Sequence, residues 1–186
     1  MISKILLERI INATKKFISE EKTLLDQDAH EESISGLYVN YLKTEFKDFP
    51  YDIDTQYNKR IIDNKVVEKY SNFLASSLPN SMRDKSIKSD QTRVDKKFMP
   101  DIIFHDRESA NHNFLMIEIK KSTNKKKNER HWDHIKLSEM TKGDLDYTYG
   151  LFIDFTSGAE FNRDRPCKMK LYQNGNIIKK IEVIFS

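Results

Sequence analysis

The chain has 186 residues, enough for one domain with a buried core and short for two. Hydrophobic residues make up 38% and charged residues 33%, and the single cysteine, Cys167, excludes a disulfide framework and a cysteine zinc cluster. The net charge of +3 is uneven: residues 1–54 carry 7 basic and 11 acidic side chains and residues 55–99 carry 10 and 5, which allows a phosphate-rich partner without demanding one.

Ile5, Leu6, Ile10, Ile11, Phe17 and Ile18 recur at helical spacing, so residues 3–19 read as an amphipathic helix. Charge interrupts this opening stretch every few residues, so it is neither a signal peptide nor a membrane span, and no membrane partner is expected. A reducing cytoplasm fits the cysteine usage. Residues 30–46 repeat the helical pattern with Ile34, Leu37, Tyr38, Tyr41 and Leu42. Residues 51–58 alternate instead, with Ile53, Thr55 and Tyr57 on one side and Asp52, Asp54 and Gln56 on the other, the pattern of a half-buried strand. Helical spacing returns over 65–78. The segment 79–97, rich in Ser, Asp, Lys and Arg, reads as a loop or mobile insertion.

Strands are expected at 101–105 and 114–121, a helix around 131–142, and a strand at 147–155. The tail from Cys167 reads as a hairpin turning at Asn174-Gly175. The expectation is a single α/β domain over residues 1–186, with no internal repeat and no linker that splits it.

The apolar run "FLMIEIKK" carries Glu118 and Lys120 in its interior, and Asp101 opens the strand before it. If the two strands pair antiparallel about the midpoint of the loop between them, residue 101 faces residue 118. Side chains at i and i+2 share a face, so Asp101, Glu118 and Lys120 converge on one patch. Two neighbouring buried carboxylates are costly without compensation, and a hard divalent ion, Mg²⁺ or Mn²⁺, compensates them. The carbonyl of Ile119 could add an oxygen ligand. Lys120 has two candidate roles, stabilising charge on a phosphate or orienting and deprotonating a water. The electrostatic role is preferred, because a base would need a pKa well below the usual value of about 10.4.

Pro100-Asp101 followed by Glu118-Ile119-Lys120 at the end of an apolar strand resembles the motif of the PD-(D/E)xK nuclease superfamily. The resemblance covers most of residues 30–155. It implies a restriction-endonuclease-like core, a central mixed β-sheet flanked by α-helices. It also implies a Mg²⁺- or Mn²⁺-dependent nuclease acting on phosphodiester bonds, most readily in DNA, with endonuclease the first reading. The family typically adds an acidic residue from a preceding helix. Of Glu31 and Glu32, helical geometry places Glu31 on the side of Ile34 and Tyr38, so Glu31 joins Asp101, Glu118 and Lys120 in the expected site. The metal would rest on Asp101, Glu118, Ile119 and Glu31. Gln56 departs from the pattern, which has an acid before Tyr57-Asn58.

The run after the motif supplies Lys121, Lys125, Lys126, Lys127 and Arg130 as candidate contacts to a nucleic-acid backbone; a solvated loop is the plainer reading. His131 and His134 stand at i, i+3 without an evident third zinc ligand. Cutting both strands of a duplex would favour a homodimer. Two alternatives stay open: a structural ion pair at a strand end, and a non-catalytic nucleic-acid-binding or assembly module that retains the nuclease fold. No glycine-rich phosphate loop and no Gly-x-Ser-x-Gly elbow is present.

Overall fold

Among the described residues the order of elements is helix, helix, two strands, a long strand, helix, and three further strands. The computed structural model describes residues 2–55, 100–107, 113–142 and 147–185, which belong to one compact unit. The helix expected over 65–78, the loop at 79–97, and the positions of Gln56, Tyr57 and His112 lie outside the described residues. Among the described residues the elements are α1 (Ile2–Asp26), α2 (Glu31–Glu45), β1 (Asp52–Thr55), β2 (Ile102–His105), β3 (Asn113–Lys121), α3 (Lys127–Met140), β4 (Tyr147–Phe155), β5 (Cys167–Gln173) and β6 (Asn176–Val183).

The strands form one mixed sheet in the order β1-β2-β3-β4-β5-β6. Neighbours are antiparallel except β3 and β4, whose parallel pairing is made possible by the crossover through α3. The protein is thus α/β, with α1 and α2 on one face and α3 on the other.

α1 runs a full two turns past the expected end, to Asp26, with non-helical angles at Glu21. The charged stretch around Glu20-Glu21-Lys22 hides this extension in the sequence, yet Leu25 is fully buried. Leu6, Ile10, Phe17 and Ile18 face the core, while Ile5 points to solvent. From α2, Ile34, Tyr38 and Leu42 meet them, and the Tyr38 hydroxyl lies 2.8 Å from that of Thr14. Phe17, Tyr38 and Phe155 form an edge-to-face cluster that fastens both helices to β4.

On β3 the two periodic faces separate cleanly. Leu115, Ile117 and Ile119 join the core under α1 and α2. Met116, Glu118 and Lys120 alternate with them and face the α3 side. On the same side, Gly150 of β4 lies directly beneath α3: a Cβ there would stand 2.9 Å from Leu137 Cδ2. The absent side chain lets α3 settle onto the sheet. At the other end of the sheet, Asn174 (φ 49°) and Gly175 (φ 76°) make the tight turn that their sequence signals.

Candidate active site

The register of β2 on β3 decides where the carboxylates fall. Ile102 pairs with Ile117, Ile103 with Met116 and Phe104 with Leu115, before a bulge at His105. Continued by one residue, this register sets Asp101 opposite Glu118, as the symmetric-loop argument expects. Asp101 Oδ2 accepts the Ile119 N–H at 2.6 Å, which locks the residue before β2 onto β3. Charge-assisted bonds of this kind are short and strong.

Glu31 reaches the same end of β3 from α2. Its Oε2 lies 3.0 Å from Lys120 Nζ, and its Oε1 accepts from the Lys121 N–H at 3.3 Å and from Asn124 Nδ2 at 3.1 Å. Glu32 is exposed, so of the two it is Glu31 that turns toward β3, the side on which helical phase places it. A clamp just before α2 fixes this approach. Asp28, in the left-handed region at φ 55°, accepts from Thr123 Oγ1 at 2.7 Å and pairs with Lys121 Nζ at 2.9 Å. Lys121 and Thr123 hold the Asp28 carboxyl below its usual pKa.

Two further charged residues, not singled out in the sequence, come from α3. Lys136 Nζ lies 2.7 Å from Glu118 Oε1 and 2.9 Å from Asp133 Oδ1, and Asp133 Oδ2 lies 3.3 Å from Lys120 Nζ. The result is a chain of alternating charge, Glu118–Lys136–Asp133–Lys120–Glu31, with Asp101 beside its first member. Glu118, Asp133 and Lys136 are all buried. The i, i+3 spacing of Asp133 and Lys136, on the helix face that holds Leu137, is the signal that could have found them.

Burial dominates the electrostatics. Desolvation pushes the Asp101 carboxyl up to about 6 despite the Ile119 N–H and Lys120. It pushes Glu118 up to about 8, against the opposing pull of Lys136. For Lys120 and Lys136 the largest single effect, desolvation, favours the neutral amine, but the surrounding carboxylates prevail and raise both. Lys120 is therefore held as an ammonium, which matches the electrostatic role and opposes use as a base in this state.

Among the described residues, no group of three or more His, Cys, Asp or Glu side chains is arranged to hold a metal ion. The chemistry of the donor set nevertheless suits a hard cation. Asp101, Glu118, Asp133 and Glu31 bring four carboxyl groups to two ammoniums, Lys120 and Lys136, an excess of hard oxygen donors. Glu118 Oε1 and Asp133 Oδ2 are also buried without a hydrogen-bond partner. Lys136 lies 2.7 Å from the first of these oxygens and Lys120 3.3 Å from the second, as ion pairs.

Beside Glu31 opens a pocket of about 630 Å³ lined by Asp28, His30, Glu32, Asn124, Lys125 and Lys126 among others. The expected basic run divides here. Lys125, Lys126 and Lys127 are exposed, with Lys125 paired to Glu160 and Lys126 to Glu129. Lys121 is committed to Asp28, and Arg130 makes a two-pronged contact with Asp154 at 2.8 and 2.9 Å while its Nε donates to the Asn124 carbonyl at 2.8 Å. These last two are less exposed than the three lysines and each is paired within the protein.

The histidine pair does not converge. His131 is exposed, and His134 packs on the Phe152 ring with Nδ1 2.8 Å from the Tyr172 hydroxyl and Nε2 3.3 Å from Lys170 Nζ. Among the described residues, no helix is long and apolar enough to cross a membrane.

Compared with known proteins, the chain matches no family model, no curated protein and no solved structure. Fold and site together define an α/β protein with a mixed sheet, bearing a buried cluster of carboxylates and lysines at the end of its β3 strand.

Proposed function

We propose that the protein is a metal-dependent nuclease with a restriction-endonuclease-like core, hydrolysing phosphodiester bonds, most readily in DNA. One observation carries this reading: Asp101, Glu118 and Lys120 gather on adjoining strands, with Glu31 brought to the same strand end beside an open pocket. Asp101, Glu118, the Ile119 carbonyl and Glu31 would hold Mg²⁺ or Mn²⁺. The ion, when bound, would supply Lewis acidity toward a phosphate oxygen and a more acidic water.

The chain's own groups do the rest. Lys120, kept charged by Asp133, Glu31 and Asp101, presents an ammonium to the negative charge that builds on phosphorus-bound oxygen. Glu31 and Asp133 fix the direction of that ammonium. Exposed Lys125 and Lys126, which line the pocket, and Lys127, which follows them in the chain, give a nucleic-acid backbone its cationic contacts.

A second reading has its own support. Each lysine of the cluster already meets carboxylates, so the network could serve structure alone, in a nucleic-acid-binding or assembly module. A cleavage assay on mixed DNA and RNA substrates with Mg²⁺ and Mn²⁺ separates the two. Cutting that is lost in Asp101→Asn supports the nuclease; binding without cutting, unaltered by that change, supports the module.

A further inference from the structure

We propose that Lys136 is an internal stand-in for the cation: its ammonium fills the charge position between Glu118 and Asp133 in the metal-free protein and must leave when a divalent ion enters. The inference rests on the metal-dependent reading above and adds a control of that same site.

The geometry is specific. Lys136 Nζ stands 2.7 Å from Glu118 Oε1 and 2.9 Å from Asp133 Oδ1. The lysine is 6% exposed, Glu118 2% and Asp133 4%, so no water shell screens the three. Among the described residues, Lys136 is the cationic side chain paired with Glu118, whereas Lys120 pairs with Glu31 and Asp133.

The lysine is carried there rather than drifting in from solvent. Its helix is seated by the bare backbone of Gly150 under Leu137 and tied down by Arg130 on Asp154. Burying an ammonium costs far more than leaving it in water, unless buried carboxylates need it. Glu118 and Asp133 are such carboxylates.

An ammonium and a divalent ion compete for the same oxygen. Mg²⁺ sits about 2.0–2.1 Å from its ligand oxygens and keeps several waters. That shell and the Lys136 ammonium cannot both occupy the space in front of Glu118 Oε1, and their charges repel. Lys136 keeps Asp133 as a partner when it gives up Glu118. A flexible four-carbon stem lets the head group withdraw. Cation affinity is thereby set by the cost of displacing Lys136.

The test uses the full chain stripped with a chelator and titrated calorimetrically with Mn²⁺. Removal of the competing charge in Lys136→Met is expected to tighten Mn²⁺ binding by roughly ten- to a hundredfold. In the wild type, the Lys136 Nζ resonance in nitrogen NMR should move on Mg²⁺ saturation to that of a solvent-exposed lysine, a readout that needs no variant. Equal Mn²⁺ affinity in wild type and Lys136→Met, or an Nζ resonance unmoved by saturating Mg²⁺, overturns the proposal while leaving the metal site standing. Absence of Mn²⁺ binding in both proteins overturns the metal-dependent reading itself, and this one with it.

Discussion

Glu31 and Lys120, 89 positions apart in the chain, meet at 3.0 Å. The contact ties the first turn of α2 to the end of β3 and sets the direction of the one motif lysine. Glu31 is partly open to solvent and buried Lys120 keeps Asp133 as a second partner, so the contact's worth to folding is small while its worth to a reacting phosphate is large. For Glu31→Gln we expect a melting temperature within a few degrees of wild type, roughly the effect of 1 kcal/mol or less in a chain of this size. Cleavage should fall on the order of a hundredfold. Parallel thermal denaturation and single-turnover assays check the pair of expectations, and a large loss of stability with full activity would reverse the assignment.

pH should expose the burial of the site carboxylates. Glu118 rises from 4.5 to about 8 and Asp101 from 3.8 to about 6, both mainly by desolvation. A raised acid gives stability that is complete below its unfolded value and lost as pH climbs through the folded one. His134 runs the other way, lowered from 6.5 to about 4 by burial and then by Lys170, so its contribution is present above 6.5 and lost as pH falls through 4. In the chelator-treated protein the melting temperature should therefore decline from pH 6.5 to 8.5, and this decline should flatten in Glu118→Gln. A flat wild-type profile over that window would contradict the burial argument.

Gly150→Ala probes the seating of α3. The new methyl would stand 2.9 Å from Leu137 Cδ2 and 3.2 Å from Thr141 Cγ2. Overpacking of this kind typically costs about 1–3 kcal/mol. Because α3 carries Asp133 and Lys136, the variant should also lose activity at temperatures where it remains folded. Denaturant titration beside a cleavage assay measures both.

The basic run should split into two behaviours. Replacing Lys125, Lys126 and Lys127 together with alanine should lower the salt slope of nucleic-acid binding by up to about 3, near one unit per phosphate contact, with little change in stability. Arg130→Ala should instead destabilise, since it unfastens Asp154 and the Asn124 carbonyl. Binding isotherms at several salt concentrations, with melting curves, distinguish them.

The site was legible in the sequence wherever local periodicity carried it. The stretch between the two strands is short and polar in sequence, so its midpoint fixes the register, and the pairs Ile102–Ile117, Ile103–Met116 and Phe104–Leu115 obey it up to the bulge at His105. Glu31 followed from helical phase alone. Asp133 and Lys136 did not, because charged residues on a helix ordinarily face water, and their i, i+3 spacing beside Leu137 is only a weak local signal. Their burial is a tertiary fact: it depends on Gly150 admitting α3 and on Glu118 lying beneath it. The start of α3 was expected near 131 but lies at Lys127, since the lysine-rich approach carries no apolar phase. Arg130 and Lys121 show the converse, basic residues that read as free contacts but find partners in Asp154 and Asp28.

The most direct measurement is cleavage of a mixed panel of single- and double-stranded DNA and RNA with Mg²⁺ or Mn²⁺, run on wild type, Asp101→Asn and Lys120→Met. The account predicts cutting by wild type that needs the added ion and vanishes in both variants while their folds persist. Cutting that survives in either variant, or an intact panel after prolonged incubation with wild type, would contradict it.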